Sequence, residues 1–303
     1  MINFDELTIV FLIYKSEKIL KRNLELLKKF KIIIIDNNNN STFKNYVMQN
    51  YKNVITYHLS SKNIGFAAGN NLALRYCKTK YILFLNPDLF ISEDSIQELL
   101  NSFNLFNNIG VVGPMLCDEK MVPNGNSSLF SEKLKIKRTN FEKRILNKLN
   151  KNFNNSLCCV DQIWGACMMF ETTFFKKIGG FDEEFFIYYE DTYICKKIKY
   201  EYGKVVLENA NSLASHLQGV SATYNFFEKA KLKFHHKLSE YIYLNKIKFN
   251  YNRLLFINFI DYFQRFLFNF LKFNFNNSFT NIMRILAIIY FFFNKILFKK
   301  FKI

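Results

Sequence analysis

Apolar positions come in two rhythms along this chain. Leu7–Ile13, Lys31–Asp36, Val54–Leu59 and Tyr81–Leu85 are short blocks rich in Val, Ile, Leu and aromatic residues, each ending at a turn-forming or polar residue. Blocks of this length, apolar at nearly every position, read as strands covered on both faces. Helical spacing lies between them. Ser16 can cap a helix through Phe30, with Ile19, Leu20, Leu24 and Leu27 on one face. Residues 67–77 and 94–106 read as further helices, and 110–116 as a strand. This alternation predicts an α/β fold with a mostly parallel sheet and helices on both faces. Ligands of such sheets bind beyond the carboxyl ends of the strands.

The rhythm changes near residue 220. All ten glycines and all three prolines precede that point. The last 84 residues hold 14 Lys/Arg against 3 Asp/Glu, and 18 of the 36 Phe. Without helix breakers, residues 221–303 read as a basic, Phe-rich helical appendage to a domain spanning 1–220. Within it, Phe256, Phe259, Phe263, Leu267 and Phe270 are spaced as one helix face, and Asn258, Asp261, Arg265, Asn269 and Lys272 as another. No stretch of about 18 apolar residues exists, so no ordinary spanning helix is expected.

Charge narrows the partners. The whole chain carries a formal +17, which favours an anion: nucleic acid, lipid headgroups or phosphorylated substrates. The six cysteines show no C-x-x-C spacing and no partnering His at zinc-finger spacing. They read as reduced, mostly buried thiols of a cytosolic protein. The run from Leu7 lacks a basic flank and a small-residue cleavage site, so it reads as a first strand instead of a signal peptide.

Polar residues of interest fall at the predicted strand ends. Asp36 closes a strand and precedes an Asn-rich run; it suits either a ribose or base contact or an Asx-turn. Residues 63–71 join a strand to a helix through small residues that let backbone N–H groups approach an anion. That segment matches neither the dinucleotide fingerprint nor the P-loop. Asn86-Pro87-Asp88 follows a buried strand; Asp88 could hold Mg²⁺ or Mn²⁺ against a diphosphate, or simply build a turn. Residues 179–191 concentrate five carboxylates among aromatics, and one at the end could serve a hydroxyl nucleophile as base, although Asp182 and Asp191 also suit helix caps. His216 follows a strand at 212–215 and would need a nearby carboxylate to act as a metal ligand.

Taken in order, Asp36, residues 63–71, Asn86-Pro87-Asp88, Trp164-Gly165-Ala166, residues 179–191 and His216 resemble the inverting glycosyltransferase family 2, in its rhamnosyltransferase-like branch, over roughly residues 5–225. The resemblance implies a GT-A fold. It implies a sugar moved from a nucleoside-diphosphate sugar to a saccharide or lipid-linked saccharide acceptor, with a divalent cation, Mg²⁺ or Mn²⁺, as cofactor. Residue by residue, it implies Asp191 as base with Glu190 beside it, and Asp88 and His216 as metal ligands. It also implies Asp36, Asn38, Asn63, Gly65, Phe66, Asn70, Asn86 and Trp164 around the donor. The pattern departs at Tyr193, where an acidic residue is usual, and at Lys196 and Lys197, where Arg is common. Residues around 131–156 look like an insertion outside it.

Acceptors of such enzymes are often lipid-linked, so the appendage is expected to lie on the inner membrane surface of the cell, with Phe and Lys at the interface. Packing on the catalytic domain or in a homo-oligomer is the alternative. A nucleic-acid-binding protein is the competing class, but no known binding motif is present and the excess charge sits among Phe residues on helices. A non-catalytic sugar-binding relative would have no need to keep Asp88, Asp191 and His216 together.

Overall fold

The structure, a computed structural model, describes residues 3–105, 108–123, 127–128, 157–217 and 224–296. The expected insertion at 131–156 lies outside the described residues, as do Phe106 and the last lysines. Two compact units are present. The first comprises residues 1–182 and 191–222, the second 183–190 and 223–303.

The first unit is built on one nine-stranded sheet. Its strands are β1 (Leu7–Ile13), β2 (Lys31–Asp36), β3 (Val54–Leu59), β4 (Tyr81–Leu85), β5 (Leu89–Ile91), β6 (Ile109–Cys117), β8 (Leu157–Val160), β10 (Cys167–Glu171) and β11 (Val205–His216). The order is β3-β2-β1-β4-β10-β6-β11-β5, with β8 on β11, while β7 (Ser127–Ser128) and β9 (Gln162–Ile163) form a separate pair. Strands β3, β2, β1 and β4 are parallel, as the sequence predicts. Beyond β4 the sheet turns mixed, because β10 runs antiparallel to both β4 and β6.

The helices are α1 (Glu17–Leu26), α2 (Ser41–Asn50), α3 (Phe66–Ala73), α4 (Glu93–Leu105), α5 (Thr172–Lys177) and α6 (Glu190–Tyr200). Side chains alternate along β1, β2 and β4 between two buried clusters. Ile9, Phe11, Ile32, Ile34, Leu83 and Leu85 pack with Leu20, Leu24, Val47 and Leu99. Val10, Ile33, Ile35, Ile82 and Phe84 pack with Ala67, Phe175, Ile194 and Ile198. Both faces being covered explains why these strands are apolar throughout.

Helix α1 stops at Leu26, short of Phe30, and Ser16 at its N-cap makes no capping bond; its hydroxyl donates to the Tyr14 carbonyl instead. Helix α3 ends at Ala73, where the chain tightens into i→i+3 bonds through Tyr76. Gly69 in α3 is a packing requirement: a Cβ there would lie 2.5 Å from Leu12 Cδ1 on β1.

The second unit contains α7 (Phe226–Lys246), α8 (Asn252–Leu271) and α9 (Phe275–Ile296). Helix α7 opens with a capping box: Asn225 Oδ1 accepts from Glu228 N–H at 2.9 Å, and Glu228 Oε2 accepts from Asn225 N–H at 3.0 Å. Tyr241, Tyr251, Ala287 and Phe291 are buried among these helices. The face expected from spacing is only partly right. Asn258 is turned inward, donating to the Tyr241 hydroxyl at 3.0 Å, and Phe259 is half-buried. Phe256, Ile260, Phe263, Leu267, Phe268 and Leu271 are exposed. The helix thus bonds through polar groups on its inner side and presents apolar ones outward. Among the described residues, no helix is long and apolar enough to cross a membrane.

Candidate active site

Strand order creates the crevice. The chain passes outward from β1 to β2 and β3, then returns to place β4 on the other side of β1. The carboxyl ends of β1 and β4 therefore feed loops that diverge, leaving room for a ligand.

The first cluster lies beyond β4. Asn86 N–H donates to the Ala166 carbonyl at 2.8 Å, tying the Asn-Pro-Asp turn to the segment entering β10. Strand β5 starts directly after Asp88, and its register on β11 places Leu89 opposite His216. Asp88 and His216 are thereby brought side by side. His216 Nε2 lies 3.5 Å from Asp88 Oδ1, and the two side chains are 11% and 2% exposed. Among the described residues, Asp88 Oδ1 and His216 Nδ1 have no hydrogen-bond partner. A buried polar atom left so costs about 1–3 kcal/mol.

A second carboxylate joins this cluster through Gly165. Asp191 Oδ2 accepts from Gly165 N–H at 2.9 Å, and Oδ1 accepts from Thr192 N–H at 2.7 Å. Gly165 precedes Ala166, the residue that holds Asn86, so the Asp191 and Asp88 loops share one anchor. Gly165 lies against both Asp191 and Phe66: a Cβ there would be in van der Waals contact, 3.4 Å, with Asp191 Cβ and Phe66 Cζ. Burial raises the Asp191 carboxyl above the ordinary aspartate range, only partly opposed by the Gly165 and Thr192 hydrogen bonds. A raised pKa makes a carboxylate a stronger base.

The residues expected around a donor form a network of their own. Asp36 is fully buried. Its Oδ1 accepts from Asn38 N–H at 2.7 Å, and its Oδ2 from Asn40 N–H at 3.1 Å and the Tyr57 hydroxyl at 2.9 Å. The Asp36 side chain thus builds the loop after β2, as an Asx-turn does. Burial, then the Asp36 charge, pushes the Tyr57 phenol well above its usual range. The Asn38 and Asn40 side-chain amides donate to Glu17 Oε1. Asn63 Oδ1 accepts from Gly65 N–H and from Asn37 Nδ2, which also donates to the Gly65 carbonyl. Gly65 has φ +88°, a conformation costly for other residues, and starts α3. Phe66 stacks edge-on against Phe181. Asn70 is buried and donates back to the Phe66 carbonyl, so it supports α3. Trp164, 37% exposed, flanks Gly165. Glu190 is buried and belongs to the second unit.

Three further residues support the site: Asn37 and Asn71 lie in segments that the sequence singled out without a role of their own, and Asn23 escaped it altogether. Asn23 on α1, fully buried, donates to the Pro87 carbonyl at 2.8 Å. Asn71 clamps Phe181 with two bonds, Nδ2 to its carbonyl at 2.8 Å and Oδ1 from its N–H at 2.9 Å. A Cβ on Gly180 would lie 2.4 Å from that Oδ1. Asn37 ties the β2 and β3 loops together. The Asn-rich run gave a signal for Asn37, but nothing local marked Asn23.

This arrangement of loops has counterparts. The family model for Glycosyl transferase family 2 matches residues 8–175, over half of the chain. The chain belongs to glycosyl transferase family 2. It is 28% identical over 202 residues to the low-salt glycan biosynthesis hexosyltransferase Agl10 of Haloferax volcanii, covering 65% of this chain and 62% of that protein. It is 28% identical over 213 residues to the rhamnosyltransferase WbbL of Escherichia coli K12, covering 63% of this chain and 75% of that one. Among solved structures, GalNAc-T7 with UDP, GalNAc and Mn²⁺ superposes with a TM-score of 0.57 at 16% identity, covering 70% of this chain and 44% of the other. The mannosyltransferase PcManGT of Pyrobaculum calidifontis, with GDP-Man and Mn²⁺, gives 0.52 at 11% identity over 77% of this chain and 61% of its own. The chain thus spans about three-fifths of Agl10 and under half of GalNAc-T7. At these identities the structural likeness is one of fold, and it bears out the GT-A-type architecture with its C-terminal helices.

Whether a family member of this build can hold a divalent cation is a question for its own side chains. Among the described residues, no group of three or more His, Cys, Asp or Glu could hold a metal ion. Asp88 and His216 offer two side chains whose Oδ1 and Nε2 lie 3.5 Å apart, and Asp88 Oδ1 has no hydrogen-bond partner among the described residues. Mg²⁺-type sites on phosphorylated substrates commonly use one or two protein ligands and take the remainder from phosphate and water. The residues fit such a shared site and do not fit an all-protein cage.

Proposed function

We propose that this protein is an inverting glycosyltransferase. It moves rhamnose or another hexose from a nucleoside-diphosphate sugar to a hydroxyl of a cell-surface polysaccharide or lipid-linked glycan precursor. The observation that carries this reading is the convergence of Asp88, His216 and Asp191 on one loop cluster through Gly165 and Ala166. The UDP and GDP-Man complexes of GalNAc-T7 and PcManGT, each with Mn²⁺, support the donor class and the cation.

Asp88 and His216 would hold a divalent cation, which when bound would supply charge neutralisation for the leaving diphosphate. Asp191 accepts the acceptor hydroxyl proton as that oxygen attacks C1 of the sugar from the face opposite the leaving group. The new C1–O bond forms as the C1–O bond to phosphate breaks, and configuration inverts. Gly165 and Thr192 N–H groups keep the carboxylate aimed, and its buried setting keeps it basic. Asn38, Asn63, Gly65, Phe66, Asn86 and Trp164 surround the donor, with Asp36 and Asn70 holding their loops in shape. Glu190 acts beside the base.

The outward apolar face of α8, with Arg253, Arg265 and Lys272 on the same helix, supports peripheral attachment to the inner face of the cell membrane, where lipid-linked acceptors reside. A homo-oligomer through the same face is the competing use of it. The test of function is a donor screen: the protein with Mg²⁺ or Mn²⁺ and a panel of UDP-, GDP- and dTDP-sugars, reading release of nucleoside diphosphate. Silence across the panel, with an acceptor extract present, rejects the reading.

A further inference from the structure

Resting on the glycosyltransferase reading, we infer that helix α7 is a positioning element for the catalytic base, acting through Ser239 on the segment that leads into Asp191. Residues 183–190 belong to the same compact unit as α7, although they lie forty residues upstream of it in the chain's first part. The contacts are specific. Ser239, 2% exposed, donates its hydroxyl to the Ile187 carbonyl at 2.8 Å. Phe186 stacks on His235 with ring centroids 4.2 Å apart. The rings of Tyr188 and Tyr189 meet His236, and Tyr189 also meets Tyr243. Lys246 pairs with Glu184 at 3.0 Å.

What these contacts hold is a strained backbone. Tyr188 and Tyr189 both have φ +69°, two consecutive aromatic residues in the left-handed region. Side chains of this bulk rarely enter that region, and they persist there only where the surroundings over-determine the conformation. The segment ends at Glu190, and Asp191 is the next residue in the chain. An element that fixes residues 187–189 therefore fixes the backbone from which the base is carried. On this account the helical tail is part of the catalytic machinery as well as a means of attachment, and Ser239 is its positioning residue.

The experiment compares full-length wild type, Ser239→Ala, Ser239→Thr and the double variant Ser239→Ala/Tyr188→Gly. Each is assayed with the donor that wild type consumes, and each is tested for thermal protection by Mn²⁺ with the matching nucleoside diphosphate. Ser239→Ala should lower kcat about 5- to 30-fold with donor KM and thermal protection unchanged. Ser239→Thr, which keeps the hydroxyl, should recover most of the rate. Glycine at 188 accepts positive φ without strain, so the double variant should recover part of it. Wild-type kcat in Ser239→Ala overturns the inference. So does a loss in which donor KM rises and thermal protection falls together, because that marks a general structural role. If wild type releases no diphosphate from any donor, the glycosyltransferase reading itself has failed, which is a separate result.

Discussion

His216 Nε2 faces Asp88 Oδ1 across 3.5 Å, at the point where β5 and β11 pair. Among the described residues, Asp88 Oδ1 and the other ring nitrogen of His216, Nδ1, have no hydrogen-bond partner. Asp88→Asn or His216→Ala should therefore abolish the extra thermal protection that Mn²⁺ gives to a nucleoside diphosphate complex. Both variants should remain folded without ligand: His216→Ala removes an unsatisfied buried group and returns part of its desolvation cost, and Asp88→Asn keeps the side chain's shape while removing a buried charge. Protection equal to wild type in either variant would take that residue out of the metal site.

Asp191→Asn should reduce turnover by ~10²–10⁴ while donor KM stays close to wild type. The raised carboxyl pKa adds a pH signature. The base works only when ionised, so the acid limb of the kcat profile should lie above the ordinary aspartate range, about pH 3.9. A limb at or below that value would point to a solvated carboxylate and another base.

Asn23 is the least conspicuous of the supporting residues. Asn23→Leu leaves the Pro87 carbonyl without its donor, at a cost of about 1–3 kcal/mol, offset in part because Asn23 Oδ1 itself has no partner. A modest drop in Tm is expected, together with weaker Mn²⁺-nucleotide protection as the Asp88 turn loosens. Calorimetric titration of Mn²⁺ with nucleoside diphosphate measures it; unchanged affinity would assign Asn23 to stability alone.

The His235 imidazole is held down to about 4, first by burial and then by the Lys231 charge. Its ordinary value is 6.5, so the folded state binds the proton less well than the unfolded chain. The stability it contributes is intact above about 6.5 and is lost as pH falls toward 4. The difference in Tm between pH 7 and pH 4.5 should be smaller in His235→Phe than in wild type. An equal difference would show that this ring does not control the acid response.

The α8 face gives a fifth prediction. Replacing Phe256, Phe268 and Leu271 by Ser should release the protein from vesicles containing anionic lipid in a flotation assay, with little change in fold, because all three are exposed. If the triple variant floats as wild type does and instead changes its sedimentation coefficient, the face is a subunit interface.

The sequence made the first half of the sheet readable, because parallel strands covered on both faces leave uninterrupted apolar blocks such as Lys31–Asp36. Strand β10 was not located, nor was the first half of β11, whose Glu208, Asn209 and Asn211 break its apolar pattern. The Asp88–His216 pairing could be guessed only from the order of motifs; its cause is the β5–β11 register, which no local pattern encodes. At Asp36 the sequence offered both a donor contact and an Asx-turn, and the turn bonds are seen. Its carboxylate accepts from Asn38, Asn40 and Tyr57, and Tyr57 is a partner 21 residues away that no local pattern marked. On α8, periodicity found the helix but not which side faces out, because Asn258 spends its polarity on an internal bond to Tyr241.

Because residues 183–190 group with the C-terminal helices and 191–222 with the sheet, the seam between the two units crosses the chain more than once. Anyone splicing this C-terminal part onto a sister enzyme at residue 220 would give the hybrid α7 from one parent and the loop it grips from the other. Donor and acceptor preferences should then exchange cleanly only when the eight-residue loop travels with the tail.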